Sequence, residues 1–177
     1  MAEFVAGVST YVVLFLLAAA CIGHARRPDD LPSALRAHGV VPAPATGVVG
    51  LAVTVAEGAL VVLLLAGVLG SAGLLVAGLA GSAAIFAGYG GYGWFVVSTG
   101  RSGPCGCAGA EMPMSMWVVG RALTLAGLSL VALVWSELVI PLSRPGSDLV
   151  IVLLGAGTFG ALLWFLPVAM RDPEGAR

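Results

Sequence analysis

The sequence predicts an all-α protein, a polytopic transmembrane helical bundle with five, alternatively four, membrane-spanning helices. Hydrophobic residues make up 59% of its 177 residues and charged residues only 10%, and the mean hydropathy is +1.05. Ordinary globular domains carry about a quarter charged residues. The apolar residues also gather into runs of the roughly 20 residues that a helix needs to cross a bilayer. We therefore interpret residues 1–177 as a single integral membrane domain.

Charge and composition indicate which partners and which cellular membrane to expect for this protein. The net charge of -1 and the absence of lysine leave no basic surface for nucleic acid. An Ala/Gly/Arg-rich, lysine-free composition would suit a GC-rich bacterial genome. We expect a multi-pass protein of the bacterial cytoplasmic (inner) membrane, with the lipid bilayer as its main partner.

Five apolar runs are the predicted spans, at about residues 4–23, 46–69, 73–98, 117–140 and 148–169. No basic segment precedes the first run, so we expect it to be kept as a helix and not cleaved as a signal peptide. In the polar loop after it, residues 32–38 predict a short interfacial helix, with Pro32 near its start and Gly39 just past its end. Pro141 is expected to end the fourth span.

Small and aromatic residues of the third span suggest how it packs. The small residues recur at helical spacing and predict a face for close helix contact: Ala77, Ala80, Gly81, Ala84 and Gly88. Aromatic residues near its end, with one across the next loop, predict an interfacial belt of anchors: Tyr89, Tyr92, Trp94 and Trp117.

The order of the spans determines which residues share a membrane face. The end of span one, the start of span two, the end of span three and the start of span four must lie on one side. We therefore expect five residues to converge there: Cys21, His24, Cys105, Cys107 and Arg121. With five spans, the distribution of arginines puts this side in the cytoplasm by the positive-inside rule.

The loop at residues 99–116 holds two of the three cysteines, Cys105 and Cys107. Its glycines and Pro104 favour a tight turn, and Gly106 lets the two thiols approach each other. A disulfide between cysteines this close would be small and strained, which is typical of redox-active disulfides. Thiol–disulfide exchange needs an accessible thiolate and a second thiol that resolves the mixed disulfide. The pair supplies both, so we predict a redox loop, with thiol–disulfide oxidoreductase as the candidate activity.

Three further residues are candidates for the same site. Cys21 could relay the disulfide inward, or could simply pack in its helix. Glu57 lies near the middle of span two, where an ionised side chain costs about 2.5–3.5 kcal/mol. It could relay protons, stay neutral, pair with Arg121, or form a structural hydrogen bond between helices. Arg121 could serve the site or extend its head group to the interface.

These residues resemble the methylamine-utilisation MauE family of DoxX-like membrane proteins. That family shows Cys-Gly-Cys-Phe-Gly after its third helix, matched here by 105–109, and an arginine early in its fourth helix, matched by Arg121. The segment 35–42 resembles the stretch before its second helix, and Glu57 stands where its acidic residue does. Two features differ: Ala108 replaces the usual Phe, and the Lys that often ends helix one is absent.

The resemblance implies a DoxX-like bundle whose redox pair works with a thioredoxin-like partner. It also implies a role in disulfide formation, or in maturation of the small subunit of methylamine dehydrogenase, outside the cytoplasm. That location conflicts with the placement from the arginines. A quinone is a candidate electron acceptor, with Glu57 and Arg121 handling the accompanying proton or charge.

Two other functions remain open from the sequence. Cys21, His24, Cys105 and Cys107 together form a ligand set suited to zinc or copper. Alternatively, the protein is a non-catalytic membrane assembly subunit that binds a partner helix, and its cysteines are incidental.

Overall fold

A computed structural model describes residues 1–101, 103–106 and 112–170. The helices of this part of the chain are α1 (Ala2–Arg26), α2 (Asp30–His38), α3 (Thr46–Val68), α4 (Ala72–Ser98), α5 (Met116–Val134) and α6 (Ser147–Ala169). Five of them, all but α2, are long and apolar enough to cross a membrane. The described chain is a bundle of helices, as the sequence predicts.

The first helix lies at the centre of the bundle. α1 is the most buried of the five long helices, and it packs against α3, α5 and α6. Its buried side chains form the core with residues of the surrounding helices, among them Val12, Leu17, Leu64, Leu79 and Leu125. The phenol of Tyr11 donates a hydrogen bond of 2.8 Å to the Ile140 carbonyl, which ties α1 to the segment after α5. The other helices are arranged around this central one.

The predicted spans match the observed helices closely, with one clear difference. The fourth was expected to run to residue 140, but α5 ends at Val134 and a short 3₁₀ turn, Ser136–Leu138, follows. The polar side chains of Ser136 and Glu137 interrupt the apolar run at this point. The backbone leaves the helix there, well before Pro141.

The short helix α2 was predicted at residues 32–38 and is observed at Asp30–His38. Gly39 ends it in a left-handed conformation, with φ of 63°, which glycine adopts without a steric penalty. α2 packs against the start of α3, where Gly50 leaves room for the ring of Pro32. This contact holds α2 across one end of the bundle.

The predicted packing face of the third span is wrong in register. Ala77, Ala80, Ala84 and Gly88 are exposed, and only Gly81 lies close to a neighbouring helix, beside Leu60. Instead, α4 packs through a face that includes Gly78 and Gly90, where Leu64 and Leu123 come close to the backbone. In a helix rich in small residues along its whole length, several stripes have helical spacing. Only contact with the larger leucines of α3 and α5 selects one.

Candidate functional site

A cavity of about 270 Å³ lies within the bundle at the end covered by α2. All six helices contribute to its wall, together with the loop at residues 99–116, which we call the cysteine loop. Most of the wall is apolar, and its polar and ionisable side chains are His24, His38, Glu57, Tyr89, Tyr92, Cys105 and Arg121. The predicted convergence at one membrane face is therefore confirmed for His24, Cys105 and Arg121. The pocket is the natural candidate for a functional site.

Glu57 joins three helices from the wall of this cavity. Its side chain is fully buried. His24 Nδ1 of α1 lies 2.8 Å from Glu57 Oε2, and the Tyr89 hydroxyl of α4 donates a 2.6 Å hydrogen bond to Oε1. The pairing of Glu57 with Arg121, one option from the sequence, is not observed. Glu57 instead makes the hydrogen bonds between helices that were the structural alternative.

The hydrogen bond to Glu57 also orients the ring of His24. An ionised carboxylate can only accept hydrogen bonds, so beside an ionised Glu57 the proton of His24 lies on Nδ1. Nε2 is then directed away from Glu57, and it is buried with the Gly106 backbone carbonyl beside the ring, although it makes no hydrogen bond of good geometry to a described residue. His24 lies close enough to Cys105 for an electrostatic interaction. An imidazole held in this way can exchange a proton with a neighbouring thiol.

Arg121 contributes a buried positive charge to the same cavity. Its side chain is only 8% exposed, so its head group does not extend to the surface of the described chain. The guanidinium carbon lies 5.7 Å from the centre of the Trp164 ring, within range of a cation–π interaction. Its Nη1 has no hydrogen-bond partner in the described part of the chain.

The cysteine loop lies directly over α2. Its two ends pair in an antiparallel bridge between Pro104 and Pro113, and the Cys105 amide donates a 2.6 Å hydrogen bond to the Met112 carbonyl. Gly106 has a φ of 75°, as its predicted role in a tight turn requires. Cys105 is only 4% exposed and packs with Met112, Met114 and Val118. Cys107 lies outside the described residues.

A second hydrogen-bonded group fastens α2 beneath this loop. His38 Nδ1 lies 2.9 Å from the Tyr92 hydroxyl, and Arg101 Nη1 donates to the carbonyls of His38 and Gly39 at 2.9 and 2.7 Å. Burial lowers the pKa of His38 below its usual value, and the nearby Pro104 carbonyl only partly offsets this effect. Gly103 packs against the same ring. His38 is therefore neutral and structural near pH 7.

The aromatic belt was predicted correctly only in part. Trp94 and Trp117 are exposed, as expected for anchors at the bilayer surface. Tyr89 and Tyr92 instead face inward and donate to or accept from buried polar groups. About half a helical turn separates Tyr92 from the exposed Trp94, whereas Tyr89 and Tyr92 are three residues apart and so share the inward side. A tyrosine followed three residues later by another, on a helix opposite Glu57, was the signal that could have identified them.

Cys21 is not brought into the cavity. Its thiol faces α3, 3.9 Å from the Thr54 carbonyl and close to Gly58. Within residues 1–101, 103–106 and 112–170, no three His, Cys, Asp or Glu side chains form a group that could hold a metal ion. The described part of the proposed zinc or copper ligand set is thus not gathered at one point.

The comparisons with known proteins identify the family. The model of the family described as methylamine utilisation protein MauE matches residues 2–136, which is most of the chain, from α1 to the end of α5. The protein belongs to this family and is a multi-pass membrane protein. No curated protein and no solved structure matches it.

Proposed function

We propose that this MauE-family protein is a membrane-embedded thiol–disulfide redox protein that exchanges disulfides with a thioredoxin-like partner through Cys105 and Cys107. One observation carries the proposal: Cys105 lies in the wall of the same cavity as the buried His24–Glu57 pair. The thiolate is the reactive form of cysteine. His24 and Cys105 lie within range of an electrostatic interaction, so we assign to the His24 ring the proton that Cys105 releases.

The two cysteines have different roles in this proposal. Cys105 is almost fully buried against the cavity, so it is the inner cysteine, and the partner reacts at Cys107. A partner thiolate attacks Cys107 of the disulfide, and Cys105 leaves as the thiolate. The second partner thiol then resolves the mixed disulfide. The partner loses two electrons and two protons, and Cys105 and Cys107 gain them.

The disulfide must then be formed again by a two-electron acceptor. A quinone dissolved in the bilayer is the acceptor class that we propose, since it takes up two electrons and two protons to become a quinol. Cys105 and Cys107 return to the disulfide in the same step. The final target that we propose is the one that the resemblance implied, the small subunit of methylamine dehydrogenase, which a thioredoxin-like protein would oxidise in turn.

Single cysteine variants test the order of events. In Cys105→Ser, Cys107 is first activated as a mixed disulfide with thionitrobenzoate; a reduced thioredoxin-like partner that keeps only its attacking cysteine should then displace thionitrobenzoate and accumulate as a mixed disulfide through Cys107, visible on a non-reducing gel. Cys107→Ser should not accumulate it. Cys21→Ser is the matched control and should behave as the wild type. Unchanged disulfide formation in the complete partner after replacement of both Cys105 and Cys107 would show that the proposal is wrong.

The location in the bacterial cytoplasmic membrane and the orientation of the loop are part of the proposal. We favour an outward-facing loop, because disulfides persist in the oxidising space outside the cytoplasm. A membrane-impermeant maleimide applied to intact cells should label Cys107 only after reduction. Labelling that requires cell lysis would place the loop in the cytoplasm, as the arginines suggest, and would point to a reducing relay.

A further inference from the structure

The cavity offers hydrogen-bond donors and positive charge to a ligand. Glu57 is the one carboxylate in its described wall, and both of its oxygens already accept hydrogen bonds. Arg121 is more than nine-tenths buried, and its Nη1 has no partner among the described residues. An unsatisfied charged donor in so buried a position is costly. A ligand that fits must therefore bring an acceptor oxygen to Arg121.

The rest of the wall defines the body of that ligand. The ring of Trp164 lies beside the guanidinium, and Phe86, Leu16 and Leu125 line the same space. These side chains come from four helices that are apolar enough to lie within a bilayer. They favour a flat or apolar ligand that is supplied by the membrane and not by water. The volume of about 270 Å³ is near the lower end of the range for small-molecule sites, which suits a single ring system.

We propose that this cavity is a quinone-binding site, in which a ring carbonyl oxygen accepts a hydrogen bond from Nη1 of Arg121 and the ring packs beside Trp164. A carbonyl supplies the missing acceptor, and the aromatic wall accommodates the ring. The positive charge of Arg121 stabilises the negative charge that develops on the oxygen as electrons arrive. The site therefore favours reduction of its ligand.

The proposal rests on the proposed function for its source of electrons. Cys105 lies in the same wall as Arg121. When the dithiol becomes a disulfide, the sulfur–sulfur bond forms, and two electrons and two protons pass to the quinone, whose two carbonyl oxygens become hydroxyls. Nε2 of His24, which makes no hydrogen bond of good geometry to a described residue and has the Gly106 carbonyl nearby, can carry one of those protons.

Binding can be measured directly in the purified protein in lipid nanodiscs. A benzoquinone with a decyl tail should quench the fluorescence of the tryptophans saturably, because Trp164 lines the site. Arg121→Gln should weaken this binding by about tenfold or more, since the bond to a charged donor is lost. Arg144→Gln is the matched control: this arginine is exposed and does not line the cavity, so binding should be unchanged.

Further variants keep the test decisive if Arg121→Gln does not fold. Ala122→Phe would fill part of the cavity from α5, and it should also weaken binding. The absence of saturable binding to the wild type would overturn the proposal without any variant. Decanoate is the competing probe: if it binds in an Arg121-dependent way and the quinone does not, the site is for organic anions and the proposal is wrong.

The double variant with Cys105→Ser and Cys107→Ser separates this inference from the proposed function. It should still bind the quinone saturably and in an Arg121-dependent way, because the proposed contacts come from Arg121 and Trp164 and not from either sulfur. If the wild type binds the quinone tightly but its thiols never exchange with a partner, the proposed function is wrong and the quinone site remains. If its thiols exchange with a partner but no quinone binds, the quinone site is wrong and the thiol–disulfide function remains.

Discussion

Replacing Glu57 tests whether one buried carboxylate holds three helices together. In Glu57→Ala, the His24 ring and the Tyr89 hydroxyl both lose their acceptor at buried positions. Removal of one partner of a buried ionic pair costs about 3–5 kcal/mol. In Glu57→Gln, the amide oxygen can still accept from Tyr89, and the NH2 group can donate to Nδ1 of His24 once the proton of that ring moves to Nε2. Each hydrogen bond then weakens from the charged to the neutral class by about 1 kcal/mol, so we expect a loss of about 2 kcal/mol.

The assay is reversible unfolding in mixed micelles, with the free energy of unfolding as the measured quantity. Ser82→Ala is the control, because Ser82 is equally buried but its hydroxyl bonds only to Gly78 one turn back in the same helix. We expect it to cost about 1 kcal/mol or less. The expected order of destabilisation is therefore Glu57→Ala, then Glu57→Gln, then Ser82→Ala.

Two results would refute this reasoning. If Glu57→Ala is as stable as Ser82→Ala, the carboxylate does not tie α1 and α4 to α3. If Glu57→Gln is as unstable as Glu57→Ala, the charge itself and not the pattern of hydrogen bonds holds the helices. Under the proposed function, Glu57→Gln should also slow alkylation of Cys105 in the reduced protein, because a neutral amide supports a charged His24 less well.

Three more predictions follow from the loop and its surroundings. Gly106→Ala should lower the free energy of unfolding by about 1–2 kcal/mol, because the backbone of Gly106 is left-handed. The loss should exceed that of Gly100→Ala, since Gly100 has a similar φ but open space around it, whereas a side chain at Gly106 would meet Ala34. Equal losses in the two variants would mean that the contact with Ala34 is unimportant. The lowered pKa of His38 means that the unfolded chain binds the proton more readily, so acidification below about pH 6.5 should destabilise the protein, and less so in His38→Gln; an identical pH profile in that variant would exclude His38 as the cause. Cys21→Ser should leave the rate of thiol exchange with the partner unchanged, because Cys21 lies outside the cavity. The rate is measured by alkylation of the partner's thiols, and a slower rate in the variant would support the hypothesis that Cys21 relays the disulfide inward.

The helices and their order could be predicted because the length and hydropathy of a segment are enough to identify it as bilayer-spanning. The convergence of His24, Cys105 and Arg121 also followed from connectivity alone, since alternate helix ends must meet at the same face. Even the end of α2 at Gly39 was readable from a local rule. These predictions depend on information that is contained within short stretches of the chain.

The partners within the site could not be predicted, because rotation of each helix about its axis is set by packing between helices. Glu57 could reach several neighbours from the middle of α3, and it is His24 and Tyr89 that the rotation of α1 and α4 brings to it. The same uncertainty made the tyrosines look like anchors. Hydropathy gives little guidance here, since a lipid-facing stripe is as apolar as a buried one.

The position of α2 explains how a loop outside the spans can belong to a site inside the bilayer. Arg101 and Tyr92 hold α2 by its last turn, and the loop then lies against α2 so closely that a side chain at Gly103 or Gly106 would meet it. Cys105 is thereby turned toward the cavity and away from water. Because the described part of the loop is fixed from below, Cys105 lies in the wall of the cavity that His24 and Arg121 also line, which is the position that the proposed inner cysteine requires.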